Sequence, residues 1–426
     1  MTQASGKRRG RLYADLMIGL ATRGLGAGAS FGLAWLIAQI YGSAVFGLYQ
    51  IGFTTVTLLS LVVILGQDIM IVRQSAPLIQ QQREREAGAV LRSALHFVAR
   101  SGLLAAAGLA AVAMPFARYA LAIPDAAIFI IAFAPFLIFN PALRIQNAFL
   151  RCLGKTATSQ SLEGIFYTSF AALCLGALWL MSAVPQGWVL PLLLIAGQVI
   201  TVAIGGFILS RLTRAWPNAT SPAAVDLRTG ARIATAPILN QAFSWLLLVL
   251  VAGAIDESAA GVFRVAVLIC LLMQLVVNAF GTMVGPYLAR AASEQDHAKL
   301  RRTVLVAGGI GFVITVPVAL AAWLVPEFLL GLFGPEFVAG ALALQLLAAG
   351  ELVNVMAGPV GIALIMQNRE RIVIRNMAIS VVAGLGLAAA TLPTLGVAAA
   401  GLGLLVASGL RNALNLGHFW LPLRAA

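Results

Sequence analysis

The chain has 426 residues, of which 61% are hydrophobic and only 10% charged. A soluble protein of this length needs far more charge to cover its surface, so a globular enzyme is excluded. The net charge of +13 does not mark a nucleic-acid binder, because the basic residues fall in short, separated loops and form no continuous face.

About twelve apolar segments follow in chain order, over 14–40, 47–72, 93–114, 126–149, 160–183, 188–210, 232–254, 259–288, 303–325, 339–366, 376–393 and 396–420. A run of roughly 20 apolar residues spans the hydrocarbon core as a helix. The first run, after Lys7, Arg8, Arg9 and Arg11, is too long for a signal-peptide core and reads as a retained helix. The basic residues recur in every second connection. Arg73, Arg83, Arg85 and Arg92 lie in the second, and Arg144, Arg151 and Lys155 in the fourth. Arg211, Arg214, Arg228 and Arg232 lie in the sixth, Arg290, Lys299, Arg301 and Arg302 in the eighth, and Arg369, Arg371 and Arg375 in the tenth. Arg118 stands alone among the acids of the alternate connections, Asp125, Asp256, Glu257, Glu327 and Glu336. Basic residues stay on the cytoplasmic side, so both termini are expected in the cytoplasm.

The chain also repeats itself. Gly47 of Gly42-Ser-Ala-Val-Phe-Gly-Leu-Tyr and Gly261 of Asp256-Glu-Ser-Ala-Ala-Gly-Val-Phe fall 214 positions apart. The same offset aligns Asn140 with Asn354, Gly154-Lys155 with Asn368-Arg369, and the charged stretch 81–88 with 295–302. The expected fold is therefore an all-α polytopic membrane protein of about twelve helices. Two six-helix lobes, 1–213 and 232–426, are joined by a cytoplasmic linker over 214–231. An even number of spans per repeat makes the halves parallel, related by a pseudo-two-fold axis along the membrane normal.

A charge deep in a span must face a bundle interior or a water-filled cavity. Arg23 in the first span, Arg264 in the eighth and Arg100 in the third are candidates for an anionic substrate, since the guanidinium fork matches phosphate. Arg100 and Arg411, one or two turns from the cytoplasmic edge, read first as side chains reaching for the interface. Gln67, Asn140, Gln274, Asn278 and Asn354 could hydrogen-bond sugar hydroxyls, each alone being more often glue between helices, and Asn278 and Asn354 are the two nominated for the site. Glu351 and Asp68 are the candidate sites for a coupling proton or sodium ion, with Arg73 as the partner expected for Asp68 if it is only paired. Pro135, Pro141, Pro237, Pro286, Pro317 and Pro359 should bend their helices. The dispersed Cys152, Cys174, Cys270, His96, His297 and His418 show no metal or disulfide spacing, and no cofactor is expected. Gly154-Lys155-Thr156 ends like a phosphate-binding loop but has Phe149 where that motif needs glycine.

The stretch Ala38-Gln-Ile-Tyr-Gly-Ser-Ala-Val-Phe-Gly-Leu-Tyr49, with Leu65-Gly-Gln-Asp68 and Arg73, resembles the first two helices of the Wzx-type polysaccharide-biosynthesis flippases. Leu332-Phe-Gly-Pro-Glu-Phe337, Ala348-Ala-Gly-Glu-Leu-Val-Asn354 and Gly358-Pro-Val-Gly361 resemble their ninth-to-tenth helix region. The resemblance implies the fold of the multidrug/oligosaccharidyl-lipid/polysaccharide exporter superfamily in a bacterial cytoplasmic (inner) membrane. It implies flipping of an undecaprenyl-pyrophosphate-linked oligosaccharide repeat unit from the inner to the outer leaflet. Its partners would be that lipid-linked oligosaccharide, membrane lipids, H+ or Na+, a polysaccharide polymerase and a chain-length regulator. The related lipid II flippases carry cavity arginines in their first and eighth helices, comparable in place to Arg23 and Arg264, but they have extra terminal helices that this chain lacks. A cation-coupled multidrug exporter of the same superfamily is the alternative, and would have a cavity of acids and aromatics. A membrane-embedded polymerase or ligase would need a larger external loop than the roughly 14 residues from Pro326 to Ala339.

Overall fold

The computed structural model describes residues 2–217, 225–294, 296–367 and 369–420; within them, the side chains of 2–21, 23, 275–283, 285, 286, 289, 291–293 and 297 are not described. Those residues are almost entirely helical. The chain forms two compact units, Met1–Tyr41 with Ile51–Ile238, and Gly42–Gln50 with Leu239–Ala426.

The first unit takes most of α1 (Thr2–Ile64), then α2 (Gln67–Gln80), α3 (Glu84–Pro115), the pair α4 (Ala126–Phe133) and α5 (Phe136–Cys152), the pair α6 (Thr156–Gly164) and α7 (Phe166–Leu180), and α8 (Leu190–Leu212). The second unit takes the larger part of α9 (Leu227–Ala254), α10 (Glu257–Ser293), α11 (His297–Leu324), α12 (Pro326–Gly331), α13 (Ala341–Ala357), α14 (Val360–Met366), α15 (Glu370–Leu395) and α16 (Ala398–Trp420). The boundary inside α9 falls at Ile238, immediately after Pro237. Of the linker expected over 214–231, residues 218–224 lie outside the described residues, and its end from Leu227 is already helix.

Nine helices among the described residues are long and apolar enough to cross a membrane, ten when α4 and α5, bent by 40°, count as one span. The segment Gly24–Ile64 has 41 residues, about 60 Å of helix and twice a hydrocarbon core, and it turns at Gly42 (φ 75°, ψ −175°), so it makes two crossings. α16, 23 residues long, coincides with the last apolar segment of the sequence. Leu103, Leu104, Leu180, Val313 and Val382 are more than half exposed, as side chains facing acyl chains must be.

Proline explains two breaks. Pro135 closes the gap between α4 and α5, and Gly358-Pro359, with Gly358 at φ 64°, splits the expected span 339–366 into α13 and α14. A proline removes a backbone donor, and its ring crowds the carbonyl of the preceding turn. Pro141, Pro237 and Pro317 instead lie inside unbroken helices.

In the first unit, Ile64, Ile71, Leu91, Val98, Ile145, Phe149, Leu162 and Leu209 form one buried cluster from six helices. Beside it, Asp68 on α2 accepts two hydrogen bonds from Arg144 on α5, at 2.6 and 3.1 Å. The expected partner Arg73 is not the one used: the guanidinium that reaches Asp68 comes from a packed neighbour, not from the next turn of its own helix.

In the second unit, the segment at Gly42–Gln50 meets the start of α10. A Cβ on Gly47 would collide with the Glu257 carbonyl oxygen, and one on Gly261 with that of Ser43. Ser43 and Ser258 join through their hydroxyls at 2.6 Å, and Arg264 Nε donates to Gln50 Oε1 at 3.0 Å. These are the two segments that match at the 214-residue offset, and they pack isologously, each glycine against the backbone of the other. The break at Asp256 between α9 and α10 also falls 214 positions after the Gly42 turn.

Two measurements check this architecture. Gly47→Ala and Gly261→Ala should each cost about 1–3 kcal/mol, as overpacking against backbone does, and lower the unfolding temperature in detergent. Gly28→Ala, with nothing within 4 Å of its Cβ, should leave it unchanged. For the ion pair, with Asp68 13% and Arg144 37% exposed, a double-mutant cycle of Asp68→Asn and Arg144→Gln should give a coupling below about 1 kcal/mol. A coupling of about 3–5 kcal/mol would instead mark a fully desolvated pair.

Candidate functional site

Within the second unit, α9, α10, α13, α15 and α16 surround a cavity of about 270 Å³. Small residues set its walls. Gly350 presses against the backbone of Leu405, so α13 and α16 run close together with Glu351 beside the contact. Gly384 and Gly403 bring α15 and α16 to backbone contact. One turn from Gly384 along α15, Ser380 enters the cavity, and one turn from Ala407 along α16, Arg411 does.

The polar groups of the cavity form a chain. Gln274 Nε2 of α10 donates to Glu351 Oε1 at 2.7 Å, and Asn354 Nδ2 approaches Glu351 Oε2 at 3.5 Å. Asn354 Oδ1 accepts from Arg411 Nη2 at 3.0 Å and from Asn412 Nδ2 at 3.2 Å. Carboxylate and guanidinium are thus bridged by one amide. Among the described residues they make no direct ion pair. Asn240, Ser244, Ser380 and Ser408 add neutral hydrogen-bonding groups, and among the described residues Phe243 is the single aromatic in the lining. Such a cavity can hold a proton or small cation at one end, an anion at the other, and hydroxyl-bearing groups between.

The structure brings together two of the seven residues that the sequence nominates, Glu351 and Asn354. Arg264 lies elsewhere on α10, bound to Gln50. Asp68 is held by Arg144 in the first unit. Arg100 is exposed on α3 and does not enter the cavity. The side chains of Arg23 and Asn278 lie outside the described residues.

Arg411 corrects its reading as an interfacial side chain: it turns inward to Asn354. Gln274, named among the polar residues able to meet a sugar, is also a cavity residue. A signal for Arg411 was present. Leu404, Ala407, Ser408 and Arg411 follow the helical spacing of a single face, small and polar toward its end, which is how a helix lines a cavity.

The chain matches no family model and no curated protein. It is similar to solved structures over nearly its whole length. One is the inward-facing conformation of a multidrug resistance MATE family transporter of the MOP superfamily, with 15% identity, 95% of this chain and 97% of that chain covered, and a TM-score of 0.76. The outward-facing conformation of a multidrug resistance MATE family transporter has 17% identity, 96% and 94% coverage, and a TM-score of 0.66. A third, from Pyrococcus furiosus Vc1 (DSM3638), is described as a MOP superfamily transporter whose reverse polarity of binding pocket suggests a different function, with 18% identity, 96% and 94% coverage, and a TM-score of 0.67. At these identities the likeness establishes the fold of the chain.

Proposed function

We propose that this protein is a membrane transporter that works by alternating access, and that its cargo is a pyrophosphate-linked, lipid-anchored oligosaccharide moved from the inner to the outer leaflet of a bacterial cytoplasmic membrane. The observation that carries the reading is the composition of the cavity. Among the described residues, the cavity is lined by Arg411, six neutral amides and hydroxyls, one carboxylate and a single aromatic ring. Guanidinium matches phosphate, and clustered amides and hydroxyls match sugar. The alternation of basic connections supports both termini in the cytoplasm. A polysaccharide polymerase and a chain-length regulator would then act on the delivered unit.

A second reading is a cation-coupled multidrug exporter. Glu351 favours it, as does the similarity to transporters described as multidrug resistance proteins. Arg411 opposes it, because a cationic drug would meet a like charge in the same space. A lipid II flippase would keep the pyrophosphate argument and change the glycan.

The deciding experiment deletes the gene and scores which leaflet of inner-membrane vesicles holds lipid-linked repeat units. Accumulation in the cytoplasmic leaflet, rescued by the wild type, is expected. Arg411→Ala should rescue roughly ten- to hundredfold less well, the equivalent of about 1.5–3 kcal/mol for a hydrogen bond to a charged group. The same assay on Arg23→Ala and Arg264→Ala determines whether those arginines also meet the cargo. Normal delivery to the outer leaflet together with altered drug susceptibility would replace the flippase by the exporter.

A further inference from the structure

We propose that proton binding at Glu351 and anion binding at Arg411 reinforce each other, so that the loaded cavity holds a proton and an anionic group at the same time. The inference deepens the reading of this cavity as an anion site and rests on it. It fixes something that reading leaves open, which is the sign of the coupling.

The geometry carries the argument. Asn354 touches both charges, its Nδ2 toward Glu351 and its Oδ1 on Arg411. The amide dipole is therefore aligned by the carboxylate at one end and the guanidinium at the other. While Glu351 is ionised, its charge offsets that of Arg411 across one side chain, and an incoming anion meets a cavity with no net charge. When a proton leaves solvent and forms an O–H bond on Glu351, that offset is lost and Arg411 stands as the cavity's net positive group. Coulomb attraction for an anion then increases. Linkage makes the effect reciprocal: an anion seated at Arg411 raises the proton affinity of Glu351 by the same factor.

Among the described residues, no charge besides Glu351 and Arg411 lines the cavity. From α16 the facing charge is Arg411, and from α10 the titratable neighbour is Cys270, one turn before Gln274 and close enough to feel Glu351. The residues contributed by α9 and α15 are uncharged, and α11 meets α13 through Gly308 and Gly311. Gln274 Nε2 meets the ionised carboxylate of Glu351, and a half-turn of that amide would present its oxygen to the new O–H.

The arrangement also distinguishes this cavity from a cation-exchange site. At a lone carboxylate, a proton and a cationic cargo compete for one charge. Here the cargo and the proton occupy opposite ends of the bridge, and each makes room for the other.

The test uses the purified full-length chain in detergent and inorganic sulfate, an anion whose charge does not change between about pH 5 and about pH 8. Calorimetry of the wild type should show sulfate binding roughly tenfold tighter at the lower pH, within the usual range of coupling between sites. Glu351→Gln should bind at the tighter value at both pH values, and Arg411→Gln should lose the binding. Net proton uptake on sulfate binding, read from heats in buffers of different ionisation enthalpy, needs no variant and should be positive. Binding that weakens or stays constant on acidification, with no proton uptake, would overturn the coupling while leaving the anion site standing. Absence of sulfate binding at either pH would remove both.

Discussion

A charge placed among hydrocarbon chains must find its counterpart inside the protein, because lipid offers it nothing. That constraint orders the polar interior of this molecule. Asp68 and Arg144 satisfy it by direct contact between two packed helices. Arg264 satisfies it through the neutral amide of Gln50. Glu351 and Arg411 satisfy it at one remove, with Asn354 between them, and this indirect solution is the one that leaves a cavity. A direct ion pair closes on itself and excludes other ligands. A bridged pair keeps both charges compensated while leaving donors and acceptors open to a guest.

Glycine supplies the complementary constraint on the backbone. Gly350, Gly384 and Gly403 let three helices of the second unit approach to backbone contact. With van der Waals packing as the main attraction between helices in lipid, such closeness is a principal source of cohesion. The cavity begins where these small residues give way to Glu351, Ser380 and Arg411, so the tight part of the unit positions the open part.

Much of this was legible in the sequence. The spans follow from hydropathy because hydrocarbon thickness fixes helix length, and the Gly42 turn lies between the first two of them. The bend at Gly358-Pro359 was legible from its proline, although continuous hydrophobicity merged α13 and α14 into one expected span. Glu351 and Asn354 could be nominated because a polar residue in mid-span is conspicuous by depth alone. Arg411 could not be nominated on that basis. Depth along the helix sets it near an interface, whereas its role depends on which way it faces, and that is decided by packing against α13. Asp68 shows the same limit. Proximity in sequence points to Arg73, but the structure pairs it with Arg144, 76 positions away.

The isologous contact between the Gly42–Gln50 segment and the start of α10 bears on how the chain is made. The surface against which Gly47 packs includes the Glu257 carbonyl and Gly261. During synthesis, the first hairpin enters the membrane long before those residues leave the ribosome. Its turn must therefore wait, with Ser43 and Gln50 lacking their eventual partners Ser258 and Arg264, until more than half the chain has been translated. Maturation of this protein is thus governed by a long-range event: the earliest hairpin is inserted first and finished late.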